Sequence, residues 1–438
     1  MYSTPGGRQG FTPEQSYLAG PAGAGSAYLE RPTIGFRAQA LPGGNPMPHP
    51  SLTRRGFMTG AAAALGTLGL EPTPLWGTRG RPLGGPLRLL QEADDYDALA
   101  KLHFNENPYG PSDSVLEAMT KAFKYSMRYG YPDGGVTEAI ADHHGVESDN
   151  LLLGAGSGEI LEVVGLTFLG PGKKVVGVDP SYGSVYSHAS GINADAIKVP
   201  LLDDYRQDIP ALIAATRKHY REVGFVYLCN PNNPTGRTVT KQEVQQLLDG
   251  IPEDVPVLVD EAYHHFVEDP GYATSVPYIL EGRPVIVTRT FSKLFGMAAM
   301  RLGFAIATPE MIQRMRPYST GSINALVKWG AVAALEDRAE QERVRRITLA
   351  LRKKTARELQ ALGYDVIPSE TNFLMVHTGR PIEQVRTEFR KRMIAVGRPF
   401  PPMLQHMRVS IGTEEEMDRF MAAFREIFPA TSAVGNGS

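Results

Sequence analysis

The 438-residue sequence has one cysteine, Cys229, so neither an internal disulfide nor a cysteine-built zinc site can brace the fold. Packing must hold the core. An excess of charge of either sign is also missing: 45 Lys and Arg stand against 47 Asp and Glu, a formal net charge of −2. That balance leaves no footprint for nucleic acid or for an anionic membrane surface. Long apolar runs are lacking too. The uncharged stretch Gly60 to Leu70 is eleven residues, too short for an ordinary transmembrane helix, and no stable membrane span is expected. What the chain does have is 42% hydrophobic and 21% charged residues over a length that supports two or three cores, which excludes disorder throughout.

Glycine and proline, 46 and 34 in all, crowd the amino-terminal end. Residues 1–50 show neither helical nor strand periodicity and predict a disordered extension, because they bury too little apolar surface to offset the entropy of ordering. Residues 51–80 contain Ser51-Leu-Thr-Arg-Arg-Gly-Phe-Met-Thr59 ahead of the run Gly60 to Leu70. With Arg54 and Arg55 as the pair and Phe57 at the expected offset, this segment resembles a twin-arginine export signal. It implies a periplasmic or extracellular protein, or a cytoplasmic one should the signal not operate. No A-x-A cleavage site lies between Leu70 and Trp76, and Met47 stands where a signal of usual length would begin.

From about residue 100, short apolar runs alternate with amphipathic helical stretches. Leu151–Leu153, Val175–Val178, Phe225–Leu228, Val255–Val259 and Val285–Val287 predict buried strands of a mostly parallel sheet in an α/β fold. Ligands of such sheets bind beyond the carboxyl ends of the strands, so the residues after each run carry the information. Gly154-Ala-Gly-Ser-Gly-Glu159 is a glycine turn feeding a helix start, suited to an anion, with Glu159 where a dinucleotide fingerprint needs its last glycine. Asp179-Pro-Ser-Tyr182 puts an aromatic ring at the sheet edge, and Cys229-Asn-Pro-Asn-Asn-Pro-Thr-Gly236 is a turn of fixed shape with projecting amides. Val259-Asp-Glu-Ala-Tyr263 leaves a carboxylate at an apolar strand mouth, where it needs a cationic or N–H partner. Arg289-Thr-Phe-Ser-Lys293 places a lysine on the loop after a buried strand.

Together these parts ask for a planar, phosphate-bearing aldehyde with a basic ring nitrogen, which is pyridoxal 5'-phosphate. With Lys101-Leu-His-Phe-Asn-Glu-Asn-Pro-Tyr-Gly-Pro111 and Met407-Arg-Val-Ser-Ile-Gly-Thr413, the ordered motifs resemble the fold-type I pyridoxal-phosphate aminotransferases of class I/II, and within them the histidinol-phosphate aminotransferase group. The resemblance runs from about Lys101 to Thr413. It implies a large domain over 126–315, with a mostly parallel sheet flanked by helices. A smaller α+β domain would cover 316–430, with an arm and part of that domain over 81–125 and a tail over 431–438. It also implies roles: Lys293 as the Schiff-base and proton-transfer lysine, Asp260 on the ring nitrogen, Asn233 and Tyr263 on the phenolic oxygen, and Tyr182 on the ring face. Gly156, Ser157, Thr290, Ser292 and Arg301 would hold the phosphate, and Arg408 and Arg398 the substrate. Tyr131 would reach the cofactor phosphate of a second subunit, which implies a homodimer with shared active sites.

The resemblance has departures. Ala299 stands where the family has a glycine, which would put a methyl beside the phosphate site and shift Arg301, and the arginine that often precedes Tyr131-Pro is missing. The pairs His143-His144 and His264-His265 are adjacent in sequence and therefore point apart, so no metal site is expected. Glu336 to Arg352 predicts the exposed face of a long small-domain helix. The implied activity is transfer of an amino group from an amino acid or amine to a 2-oxo acid. The alternatives are decarboxylation or oxygen-dependent oxidation on the same scaffold and, third, a non-catalytic cofactor-binding protein, which would need a DNA-binding domain that residues 1–50 cannot supply. Twin-arginine export suits an enzyme that takes up its cofactor before leaving the cytoplasm.

Overall fold

A computed structural model describes residues 96–429. The Gly/Pro-rich extension, the twin-arginine-like segment and the 431–438 tail lie outside the described residues. Twelve strands form three sheets among them. Seven build the main sheet: β2 (Leu151–Gly154), β3 (Lys174–Asp179), β4 (Asp195–Pro200), β5 (Val223–Cys229), β6 (Val257–Asp260), β7 (Val285–Thr290) and β8 (Gly303–Ile306), in the order β2-β8-β7-β6-β5-β3-β4. The ladders β4-β3-β5-β6-β7 are parallel, and β8 runs antiparallel to both β7 and β2. All five predicted runs are strands of this sheet. β5, β6 and β7 are buried along their whole length, as expected for strands covered by helices on both faces.

β1 (Ala100–Leu102) pairs with β11 (Ile394–Val396), while β12 (His406–Ser410), β10 (Phe373–His377) and β9 (Asp365–Ile367) form an antiparallel three-stranded sheet. These small sheets share one apolar core with the helices Ile382–Lys391 and Glu414–Ile427. The latter starts at a capping box, Thr413 with Glu416, so the motif that begins at Met407 runs from a strand straight into a helix cap.

Two expectations are displaced. Val115, from helix Asp113–Ala122, and Val327, Ala331 and Leu335, from helix Ala325–Glu336, belong to the core of the main sheet. The large core thus extends beyond the expected 126–315, because both helices pack on each other and on that sheet's helices. The segment Glu336 to Arg352 is not one solvated face either. Asp337 ends one helix and caps the next, Arg338–Ala361, and Arg352 is buried, donating to the Phe266 and Thr371 carbonyls and pairing with Glu268. Arg345 likewise donates to the carbonyls of His265 and Val267. These guanidiniums clamp the long helix to the loop that follows Tyr263.

Candidate active site

The parallel strands end together, and the loops beyond Gly154, Asp179, Cys229, Asp260 and Thr290 meet the small sheets at a cavity of about 470 Å³. Its lining includes Ser157, Tyr182, Asn233, Asp260, Tyr263, Thr290, Ser292, Lys293, Arg301, Arg398 and Arg408. Sequence reasoning named each of these. Gly156 is outside this lining but lies against the Arg301 guanidinium. Tyr131 is absent from this lining; its hydroxyl donates to the Ile323 carbonyl at 3.0 Å.

Asp260 closes β6 and is buried, with the Ala262 N–H donating to Oδ1 at 3.2 Å and the Tyr227 hydroxyl lying 3.5 Å from Oδ2. Burial pushes its carboxyl up to about 6. A carboxylate so placed gains from a cationic ring nitrogen. Lys293 is half-buried, donates to the Phe104 carbonyl at 3.1 Å, and is pushed down to about 8 by burial and by the Arg408 guanidinium. An amine in that range gives and takes a proton near neutrality. The Tyr263 hydroxyl accepts from Asn105 Nδ2 at 3.0 Å and Asn233 Nδ2 at 3.4 Å, which leaves its own hydrogen for a partner in the cavity.

At the other end the groups are donors. Thr290 Oγ1 meets Ser292 Oγ at 2.9 Å, and Arg301 donates to Ser292 Oγ at 3.4 Å, to the Ala298 carbonyl at 2.9 Å and to the Ala155 carbonyl at 3.2 Å. Gly156 has φ 82°, and a Cβ there would overlap the Arg301 guanidinium, so glycine is required where the helix Ser157–Phe168 presents its first amides. Glu159 holds this turn by accepting from the Ala155 N–H and from Thr320. Hydroxyls, amides and one guanidinium with no carboxylate among them suit a phosphate. Together with the acid at the far end and the lysine between, the donor set fits pyridoxal phosphate. The Ala299 methyl does not stand beside the phosphate site as expected. Ala298 faces the cavity, whereas Ala299 is exposed and lines a separate surface pocket with Gly296 and Thr413.

On the small-domain side, Arg408 is 6% exposed, packs against Phe373 and Phe400, and donates to Asn233 Oδ1 at 2.7 Å and to the His103 carbonyl at 2.6 Å. Its Nε is buried without a partner. Burial pushes its pKa down to about 10, so it stays cationic at neutral pH. Arg398 stacks on Phe400 and bonds only its neighbour's carbonyl.

Sequence reasoning gave no role to His103, Asn105, Glu106 or Arg386, all in the lining, nor to Tyr227 behind Asp260. A signal existed for Asn105: the dense turn around it needs a left-handed residue, and Asn105 has φ 56°. The histidine pairs serve the frame. His144 Nδ1 faces Arg289, which forms a buried ion pair with Glu261, and His264 Nδ1 meets the Glu261 carbonyl.

A strand-mouth carboxylate, a low-pKa lysine and a carboxylate-free phosphate cradle on a mostly parallel sheet define a pyridoxal-phosphate-dependent aminotransferase of fold type I. The family described as Aminotransferase class I and II matches residues 98–424, and the chain belongs to that family. It is 34% identical over 350 residues to the histidinol-phosphate aminotransferase of Moorella thermoacetica, covering 78% of this chain and 89% of that one. To the enzyme of the same name from Symbiobacterium thermophilum it is 32% identical over 363 residues, covering 81% and 96%. The histidinol-phosphate aminotransferase from Sinorhizobium meliloti, solved with pyridoxal 5'-phosphate, superposes with a TM-score of 0.71 at 27% identity over 81% of this chain and 99% of that one. When bound, pyridoxal phosphate supplies an aldehyde that takes up the amino group and a ring that takes up the electrons released at the substrate carbon.

Proposed function

We propose that this aminotransferase takes its amino group from a donor whose anionic group is held by Arg408, and passes it to a 2-oxo acid held by the same residue. The observation that carries the reading is Arg408 itself, a buried cationic side chain in the cavity lining whose Nε has no hydrogen-bond partner. An unpaired buried donor is costly until a ligand satisfies it. Lys293 attaches the cofactor and carries the proton, and Asp260 keeps the ring nitrogen protonated. Tyr263 and Asn233 address the phenolic oxygen, Tyr182 the ring face, and Gly156, Ser157, Thr290, Ser292 and Arg301 the phosphate. The names of its relatives make histidinol phosphate the first donor to try. The test is to mix the cofactor-loaded protein with single amines and amino acids in the absence of any acceptor. Stoichiometric release of the carbonyl product supports transamination. Carbon dioxide or peroxide instead would mean decarboxylation or oxidation.

The enzyme works as a homodimer, with Tyr131 reaching the partner's cofactor phosphate. Support comes from the apolar surface near Tyr131, where Phe123, Met127 and the fully exposed Tyr129 lie uncovered. Sedimentation checks the dimer. Mixing an inactive Lys293→Ala chain with an inactive Tyr131→Ala chain should restore part of the activity through heterodimers with one intact site. The protein is exported by the twin-arginine route on the strength of Arg54 and Arg55. Replacing both by lysine should leave it in the cytoplasm on fractionation.

A further inference from the structure

A second cavity, of about 280 Å³, adjoins the first and shares His103, Arg386 and Val396 with it. Its remaining walls are Arg390 and Ala395, so no carboxylate lines it. Arg386 and Arg390 sit four apart on the helix Ile382–Lys391, beside its buried face of Ile382, Val385 and Phe389. Like charges at that spacing weaken a helix by themselves. Among the described residues, Arg390, Arg398 and Arg408 have no carboxylate within ion-pair distance, and Arg386 has only Glu383, at 2.8 Å in an exposed pair that is worth little. His103, between the two cavities, has its Nδ1 buried without a hydrogen-bond partner. Positive charge gathered at a cavity with no carboxylate in its lining suits an anion.

We propose that Arg386 and Arg390, with His103, form an outer subsite for a second anionic group, the distal phosphate or carboxylate of the amino substrate. The substrate class is then an amine with an anion at each end, which goes beyond histidinol phosphate, whose one anion would occupy a single site. The inner anion rests on Arg408, so this assignment builds on the transamination reading above.

Two measurements on the cofactor-loaded enzyme test it. The first is calorimetric binding of inorganic phosphate to the parent, Arg386→Gln, Arg390→Gln and the charge-keeping Arg386→Lys. The second is the ratio of kcat/KM for anionic over neutral members of two pairs, O-phospho-L-serine with L-serine and L-glutamate with L-glutamine. We expect Arg386→Gln to weaken phosphate binding about tenfold, equivalent to about 1.4 kcal/mol, and to lower the preference for an anionic member by a similar factor. Arg390→Gln should do less, and Arg386→Lys should recover part of the loss. The pair whose ratio falls tells whether phosphate or carboxylate is the resident group. Phosphate should also compete with the anionic members and spare the neutral ones. The subsite is overturned if phosphate affinity and both ratios are the same in parent and glutamine variants whose cofactor spectra match. It is overturned equally if the parent shows neither phosphate binding nor any anionic preference. Turnover of L-glutamate alongside such a result would leave the transamination reading intact. Conversely, phosphate binding that depends on Arg386 in a protein that releases no carbonyl product from any amine would sink that reading and keep the subsite.

Discussion

On the large-sheet wall of the cavity the polar groups are tied to one another. Asp260 has an amide and a tyrosine hydroxyl, Thr290 and Ser292 share a bond, and Arg301 is held at three points. On the small-domain wall, Arg408 is held by Asn233 and the His103 carbonyl but keeps a bare Nε, Arg398 bonds only its neighbour's carbonyl, and Arg386 leans on an exposed glutamate. A cofactor that stays through many turnovers suits the first arrangement, since rigid donors cost no reorganisation. Substrates that come and go suit the second, where positive charge is left for each arriving anion to satisfy. Changes on the large-sheet wall should therefore alter the cofactor's spectrum or chemistry, and changes on the other wall chiefly the handling of substrate.

The sharpest break comes from Lys293→Ala. Removing the only lysine among the described residues that line the cavity should lower turnover by at least about 10³-fold, within the range that proton transfer by a positioned group contributes. Borohydride reduction followed by peptide mapping should no longer fix pyridoxyl to the chain. Label on another lysine would move the reactive wall elsewhere. Arg408→Ala comes next: losing a buried charged contact costs about 2 to 5 kcal/mol, read as kcat/KM for carboxylate-bearing substrates. Cofactor should stay bound, and the one change expected in its visible spectrum is a titration displaced to higher pH, because Arg408 helps hold the Lys293 pKa down. Loss of cofactor binding would put Arg408 on both walls, and the division fails.

Asp260 sharpens the contrast through pH. Burial lifts its carboxyl from 3.8 to about 6, so the cofactor-free fold holds a proton that the unfolded chain has already released. Stability is then fully present below about pH 4 and falls as pH rises toward 6, by about 3 kcal/mol at 1.36 kcal/mol per unit. Asp260→Asn escapes this loss. In urea unfolding of the cofactor-free protein, its advantage over the parent should grow by that amount between pH 4 and pH 7, and cofactor should shrink the advantage by giving the parent's carboxylate a cationic partner. A pH-independent difference would mean that Asp260 is ionised and already satisfied without cofactor.

The large-sheet wall was far more legible in the sequence than the other. Buried parallel strands write continuous apolar runs, and the chemistry stands on the loop that follows each run, so Asp260, Thr290 and Lys293 could be read off. β4 and β8 could not. β4 is an edge strand with polar and charged residues exposed, and β8 is four residues opened by a glycine. The small-domain wall is assembled from distant segments, with His103 next to Arg408 across 305 positions. Arg386 looks like any solvated helix charge until Val396 and His103 are brought beside it. Arg345 and Arg352 misled for the same reason, since their partners are carbonyls of a loop some eighty positions away.

The smallest effect is expected at Ala299, which belongs to neither wall. Its methyl lines an outer pocket and meets solvent, while Ala298 supplies the cavity face and the carbonyl that holds Arg301. Arg301 itself has φ 60°, a left-handed conformation unusual for a side-chain-bearing residue, maintained by its three hydrogen bonds. Ala299→Gly removes no atom from the phosphate cradle and loosens one residue of a single 3-10 turn, Ala298–Met300. Added backbone freedom costs about 0.5 to 1 kcal/mol in the middle of a regular element, and less at an exposed turn. Cofactor affinity should stay within about twofold, roughly 0.4 kcal/mol, with a slight drop in Tm. Tenfold tighter cofactor binding in Ala299→Gly would show that the methyl presses on Arg301 after all, and the large-sheet wall would then have to be drawn one residue wider.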